Sequence, residues 1–369
     1  MIPAAQPIIG DDEIRAVERV LRSGALAQGP EVAAFEAEFS HHVAERNCVA
    51  VNSGTSALHL ALLALGIGPG DEVIVPSFTF AASANSIRLA GASPIFADID
   101  IDTYCLDPGS VESAITPRTA AVMPVHLYGQ PAEMTAIKKI AARHGLAVVE
   151  DAAQAHLAQH PDGCVGALGD AAAFSFYPTK NMTAGEGGML VLADEARTRL
   201  ARLLRNQGME RRYENEVVGF NLRMTDIHAA IGRAQLRRLP DWTTQRQNNA
   251  AVLDHGLTGV TTPVVRPGCT HVYHQYTIRV PAEIRDAAVT SIQENGVGVG
   301  VYYPIPVHRL PSFGICDRCS VAGGQCDRLP NTDRAARECI SLPIHPSLSA
   351  DDLERIVSAV NTAVERLLG

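Results

Sequence analysis

The chain has 369 residues, 46% of them apolar and 19% charged, and 31 Lys and Arg stand against 40 Asp and Glu for a net charge of −9. A length beyond one ordinary domain and an average composition point to a folded protein of one large and one smaller unit, and exclude long disorder. The acidic balance argues against partners made of nucleic acid or anionic membrane, and no apolar run is long enough to cross a bilayer.

In chain order, residues 1–14 (MIPAAQPIIGDDEI) lack the basic start and apolar core of a secretion signal. Residues 11–24 read as a helix with an acidic start, Ile14, Val17 and Leu21 at helical spacing, and Gly24 as a stop. Then come a strand (CVAVN, 48–52), a helix from Ser53 to Gly66, a strand (DEVIVPS, 71–77) and a small-residue helix to Leu89. Strands follow at 93–99, 120–129, 146–151, 171–177 and 187–194, with a helix at 134–145. Strands alternating with helices at this spacing imply βαβ units and a mainly parallel sheet, and continuous apolar strands imply that both faces are covered. From Met224 to about Leu257 the pattern is helical with an expected break at Pro240. A strand at 271–280, a helix at 286–296, an extended stretch at 297–307 and a capped helix at 349–369 complete a smaller α+β unit. The division expected is 1–240 for a large α/β domain and 241–369 for a small one.

Eight cysteines are few for this length and read as reduced thiols in a cytoplasmic protein. Cys316, Cys319, Cys326 and Cys339 include one CxxC, but no second pair follows. Loop thiols are therefore expected there, and no metal site.

Ligands of open α/β sheets collect outside the carboxyl ends of the strands. The residues there are Ser53-Gly54-Thr55-Ser56, Ser77 to Phe80, His126, Asp151 with Gln154 one turn on, and Pro178-Thr179-Lys180. The Gly-containing turn opening a helix at Gly54 suits an anion, although Ser53 or Thr55 reads equally as a helix cap. Asp151 reads either as a partner for a protonated pyridine nitrogen or as a cap for the turn after it. Its competitor, Glu150, points to the other strand face. In SFYPTKNMTAGEGGM, Lys180 follows an apolar strand and precedes Gly185, Gly187 and Gly188. A lysine in so desolvated a setting suits Schiff-base chemistry, and a plain loop lysine is the other reading. Asn221 and Arg223 precede a helix capped by Thr225 or Asp226.

SGTSALHLAL, VIVPSFTFAASANSI, VEDAAQAH, GDAAAFSFYPTKNMTAGEGGM, GFNLRMTDIHAAIGRAQL and VYYPIPVH, in this order and spacing, resemble the DegT/DnrJ/EryC1/StrS family of sugar aminotransferases from about Pro7 to the last helix. The resemblance implies the fold of type I pyridoxal 5'-phosphate (PLP) enzymes, with a seven-stranded, mainly parallel sheet between helices. It makes Lys180 the cofactor-linked lysine and proton carrier, and Asp151 the pyridine partner. Gln154 falls beside the cofactor's 3-hydroxyl and Phe80 over its ring. Gly54, the amides of Thr55 and Ser56, and the Ser175 hydroxyl form the phosphate cup. Asn221 would reach that phosphate from a neighbouring subunit, implying a homodimer, and Tyr303 and His308 would lie near the sugar. The partners implied are a nucleotide-linked keto sugar and glutamate with 2-oxoglutarate. NLRMTD leans toward a 4-keto-6-deoxyhexose, with a 3-keto sugar or keto-cyclitol as alternative, and a non-catalytic regulator on the same fold as a different class. Two positions depart from the pattern: Leu157 where a glycine is common, expected to reshape a pocket wall, and Glu186 where an aspartate is common.

Overall fold

The computed structural model describes residues 1–313 and 329–369. Its centre is a seven-stranded sheet of β1 (Asn47–Val51), β2 (Glu72–Pro76), β3 (Ser93–Ala97), β4 (Thr119–Val122), β5 (Ala147–Asp151), β8 (Ala171–Ser175) and β9 (Gly188–Leu192). The spatial order is β1-β9-β8-β5-β4-β2-β3. Strands β3, β2, β4, β5 and β8 pair in parallel, and β9 runs antiparallel to both β8 and β1. A small hairpin of β6 (Gln159–His160) and β7 (Gly163–Cys164) lies between β5 and β8 in sequence.

The two-residue period of a strand feeds two apolar layers. On β2, Ile74 joins Phe35, Phe39, Phe174 and Phe176 on one face, while Val73 and Val75 join Val49, Val51, Leu58 and Leu62 on the other. The helices that supply or flank these layers are α1 (Asp11–Ser23), α2 (Pro30–Ser40), α3 (Gly54–Ala64), α4 (Ala82–Leu89), α5 (Pro108–Ala114), α6 (Met134–His144) and α7 (Glu195–Arg205). Helix α8 (Asp226–Gly256) packs on α1 and α2. Its first residues serve two helices. Thr225 caps α8 by accepting the His228 N–H, and the buried Asp226 carboxylate accepts the amides of Gly29, Glu31 and Val32 at the start of α2.

A third apolar cluster, with Leu253, Tyr276, Ile278, Ile340, Ile356 and Val360, gathers around a two-stranded sheet of β10 (Tyr276–Arg279) and β11 (Cys339–Leu342). Helices α9 (Arg285–Glu294), α10 (Pro330–Glu338) and α11 (Ala350–Leu368) complete this part. The separate core is the ground on which a small C-terminal domain is proposed.

Four element-level expectations change, the first being the strand expected at 120–129, which ends at Val122 and is followed by a 3-10 turn at Leu127–Gly129. Helix α8 runs through Pro240 without a break. Proline forfeits one N–H, and Leu236 and Leu239 on the turn before it are buried in the large core and anchor the helix there. The domain division at 240/241 therefore falls within a continuous helix. On α1 the buried residues are Glu13, Ala16 and Val20, while Ile14 and Leu21 are exposed. Glu13 is drawn inward because its carboxylate accepts the Gly10 N–H and the Gln235 side-chain amide. The strand expected at 271–280 is limited to Tyr276–Arg279, where β11 pairs with it. Among the described residues no helix is long and apolar enough to cross a membrane.

Candidate active site

The carboxyl ends of β1, β2, β5 and β8 open on one cavity of about 740 Å³. Lys180, Asp151, Gln154, Ser175, Thr55 and Phe80 all line it. The crevice lies where β-strand ends meet helix starts, the usual ligand position of an open α/β sheet.

One wall is the start of α3. Ser53 caps the helix by accepting the Ser56 N–H, so the first-turn amides of Gly54 and Thr55 are the ones left without an intrahelical acceptor. Ser56 itself is turned to Asn52 and does not line the cavity. Of the residues expected in an anion cup, Gly54, Thr55 and Ser175 line the cavity, and the Ser56 amide is turned to the Ser53 hydroxyl. Close approach explains the glycine: a Cβ on Gly54 would stand 2.8 Å from the Ser175 Cβ. The cradle is thus formed by backbone and a hydroxyl at a positive helix end, which suits a phosphate.

Asp151 ends β5. Its Oδ2 accepts the Ser83 hydroxyl at 2.7 Å and its Oδ1 the Ala153 N–H at 3.2 Å. Thr79 lies 3.0 Å from the Ser83 oxygen and can donate to it. Burial pushes the Asp151 carboxyl above its ordinary value, and Ser83, Ala153 and the charge of Lys180 pull it back. A pyridinium N–H would supply a further opposite partner, so the donor set fits that role. Glu150, the competitor, faces the opposite side. It is fully buried, its carboxylate accepts the amides of Gly166, Leu168 and Gly169, and it lies 3.1 Å from His126 Nε2. His126 Nδ1 accepts the Ala132 N–H, so Nε2 carries the hydrogen and donates to Glu150. His126, one of the strand-end groups expected at the crevice, is committed to this pair and does not line the cavity.

Gln154 is oriented by its neighbours. Its Oε1 accepts the Tyr128 N–H at 2.7 Å, so its Nε2 is the donor that meets the Tyr303 hydroxyl at 3.0 Å. Phe80 is exposed to the cavity, with its ring 6.1 Å from that of Tyr303. Lys180 sits in the loop after β8, and burial lowers its ammonium pKa to about 8 against the opposing charge of Asp151. A free amine is thereby accessible near neutral pH.

Three expected residues stand elsewhere. Asn221 is exposed and does not line the cavity of its own chain. His308 is held by Ser77, 2.6 Å from its Nδ1, and packs by Phe96 rather than lining the cavity. Leu157 adopts a left-handed φ of 66° and packs on the large core, so it forms no pocket wall. A glycine would take that φ without strain, which accounts for the departure at this position being backbone chemistry. Glu186 does line the cavity. Of the cysteine cluster, Cys339 is buried in β11, and Cys316, Cys319 and Cys326 lie outside the described residues.

Sequence reasoning missed Ser83, Arg246, His274 and His345. Ser83 carried no signal beyond a small-residue helix. Arg246 did carry one: it falls on the stripe of Leu239, Trp242, Thr243, Asn249 and Leu253 that α8 buries. A charged residue at an apolar position of a helix is a feature periodicity can expose.

Residues 7–361 match the DegT/DnrJ/EryC1/StrS aminotransferase family. The chain belongs to this family. Its relatives include a dTDP-3-amino-3,4,6-trideoxy-alpha-D-glucose transaminase of Streptomyces venezuelae, 42% identical over 95% of this chain and 92% of that one. The GDP-perosamine synthase of Caulobacter vibrioides is 38% identical over 97% and 96%. Among solved structures, the PLP form of the putative sugar aminotransferase Spr1654 from Streptococcus pneumoniae superposes with a TM-score of 0.93 at 27% identity, covering all of both chains. The architecture is that of the fold type I aminotransferases, and the chain is an aminotransferase of the nucleotide-sugar kind by family.

Proposed function

We propose that this chain uses PLP to move an amino group from glutamate to a keto sugar carried on a nucleotide. The observation that carries the reading is the convergence of Lys180, Asp151 and the α3 amides on one cavity in a member of this family. PLP, when bound, supplies the electron sink that makes the α-carbon of an amino acid acidic. The residues of the chain supply the rest. Gly54, Thr55 and Ser175 hold the phosphate. Asp151, fixed by Ser83, keeps the ring nitrogen protonated. Gln154 Nε2, which meets the Tyr303 hydroxyl, would be the donor available to the ring oxygen. Lys180, as a free amine, would take a proton from the donor carbon and later return one to the sugar carbon.

A second copy completes the site in this reading by bringing Asn221 to the phosphate. Two features support it. Asn221 is exposed in its own chain, and Ile14 and Leu21 present an apolar stripe on the outer face of α1.

For the acceptor, the stretch from Asn221 to Asp226 favours a 4-keto-6-deoxyhexose. The relative named for a 3-amino sugar favours a 3-keto acceptor as the second reading. The test is incubation with PLP, glutamate and a panel of dTDP-, UDP- and GDP-linked 3-keto and 4-keto sugars, with products read by mass spectrometry. An amino sugar from one of them, absent with Lys180→Ala, is expected. Absence of cofactor absorbance after adding PLP, or the same outcome with and without Lys180, overturns the reading in favour of a binding protein.

A further inference from the structure

Tyr128 holds a left-handed φ of 58° although it is not a glycine, and it is 2% exposed. A Cβ makes that backbone costly, so the position keeps its side chain against the cost. Tyr128 stands in the turn after β4 and does not itself line the cavity. Each of its polar groups is engaged. The N–H donates to Gln154 Oε1 at 2.7 Å, the carbonyl accepts the Gln275 N–H at 3.2 Å, and the hydroxyl donates to the Tyr302 carbonyl. Burial pushes the phenol far above its ordinary value, so the donor stays protonated, and Thr277 hydrogen-bonds it as well.

Two routes lead from Tyr128 to one contact. Its N–H occupies Gln154 Oε1, which leaves Nε2 as the end turned outward. Its hydroxyl holds the Tyr302 carbonyl, and the next residue, Tyr303, brings its own hydroxyl to Gln154 Nε2 at 3.0 Å. Residues 301–304 all line the cavity that holds Lys180. Among the described residues the Tyr302 carbonyl is the one backbone group of 301–304 with a hydrogen bond, so this wall is tied to the large sheet through a single phenol. The rings agree with that linkage. Phe78 packs edge-on against both Tyr128 and Tyr303, at 6.4 and 6.2 Å, and Tyr303 leans on Phe80 at 6.1 Å.

We propose that Tyr128 is a positioning residue for the cofactor end of the cavity: it sets both partners of the Gln154–Tyr303 contact and pins the 301–304 wall so that water is kept from Lys180. The proposal rests on the PLP reading above and adds a residue that touches neither cofactor nor substrate. Buried polar groups that are fully satisfied specify one arrangement, whereas a freed Tyr302 carbonyl has to find water. The strained backbone of Tyr128 is what aims its N–H and its side chain at two ends of the same linkage.

Tyr128→Phe removes one oxygen and keeps the ring and the N–H. The first readout is the pH midpoint for capture of PLP by the apoprotein, followed as cofactor-linked absorbance. Burial is the chief cause that lowers the Lys180 pKa to about 8, so water admitted by a loosened wall raises it. The titratable groups that face Lys180 are Asp151, His156 and His274, and none of them hydrogen-bonds Tyr128. The midpoint is expected to rise by about half a unit or more in Tyr128→Phe and in Tyr303→Phe. Tyr104→Phe is the control. Its ring lies 5.4 Å from that of Tyr128, but its hydroxyl meets Cys339, so it should lower the melting temperature and leave the midpoint in place. The second readout is thermal unfolding of the apoprotein. The double variant Tyr128→Phe/Tyr303→Phe should melt within about 2 °C of the less stable single variant, because both cut one linkage. An unchanged midpoint in Tyr128→Phe, an equal rise in Tyr104→Phe, or additive losses of melting temperature overturns the proposal. Where Tyr128→Phe does not fold, an unchanged midpoint in Tyr303→Phe overturns it. A wild type with no cofactor-linked band removes the PLP reading and this proposal together, whereas a normal wild-type band beside any of those outcomes removes this proposal alone.

Discussion

Lys180 is useful only as a free amine, and its setting governs how much free amine exists at a given pH. Burial lowers its pKa to about 8. The rate at which apoprotein captures PLP should therefore climb with pH and level off above about 8. The readout is the growth of the cofactor-linked absorbance in a series of buffers. A rise that continues to the ordinary lysine range near pH 10 would show the site to be wet. Asp151 opposes the shift, since its negative charge favours the ammonium. Asp151→Ala should accordingly move the midpoint to lower pH. Asp151 was legible in the sequence because it ends a strand at the carboxyl edge, and Lys180 because it stands in the loop that follows one, where position marks a ligand site. Arg246 carried a weaker signal, a charge on the apolar stripe of a long helix, and its meaning depends on which face α8 buries. Ser83 was silent because a serine in a helix of small residues gives no hint that a carboxylate from 68 positions away will sit on it.

At the scale of elements, β5 shows how one strand serves two purposes. Asp151 faces the cavity, and Glu150 beside it ties β5 to the turn before β8 through three amides and to the segment after β4 through His126. Burial raises the Glu150 pKa, but the His126 hydrogen bond and the amides of Gly166 and Gly169 outweigh it and hold the group below its ordinary value. A carboxyl depressed in the folded state stabilises above its unfolded pKa, and that contribution is lost as pH falls through the folded value. Glu150→Gln should cost on the order of 3 kcal/mol in urea unfolding at neutral pH, and the penalty should shrink in acid. An equal penalty at pH 7 and below pH 3 would show that shape, not charge, holds the strand. The alternation of strands and helices in the large sheet was readable because fully buried parallel strands are continuous apolar runs. The small sheet was only half readable: β11 follows its partner β10 by about sixty residues, and no local pattern announces a pairing at that distance. Helix α1 was placed correctly but its buried face was not, because polar anchoring of Glu13 overrode the spacing of Ile14 and Leu21.

For the whole molecule, the position of Asn221 makes a prediction about copies. Lys180→Ala and Asn221→Ala proteins, each defective alone, should recover about a quarter of wild-type activity when unfolded together and refolded as an equimolar mixture. Half of the dimers are then mixed, and in each of these one site has its own Lys180 and the other copy's Asn221. Absence of recovery would place Asn221 in service of its own chain or outside the site. One further property follows from α8. This single helix begins by capping α2 through Asp226, passes Pro240 intact, and carries Arg246 to the cavity. A shaft of this kind resists bending, because any hinge within it must break consecutive backbone hydrogen bonds. The cavity wall that carries Arg246 and the cap that opens α2 are therefore parts of one member, so the wall is held in register with the large-domain helices packed on the other end of α8.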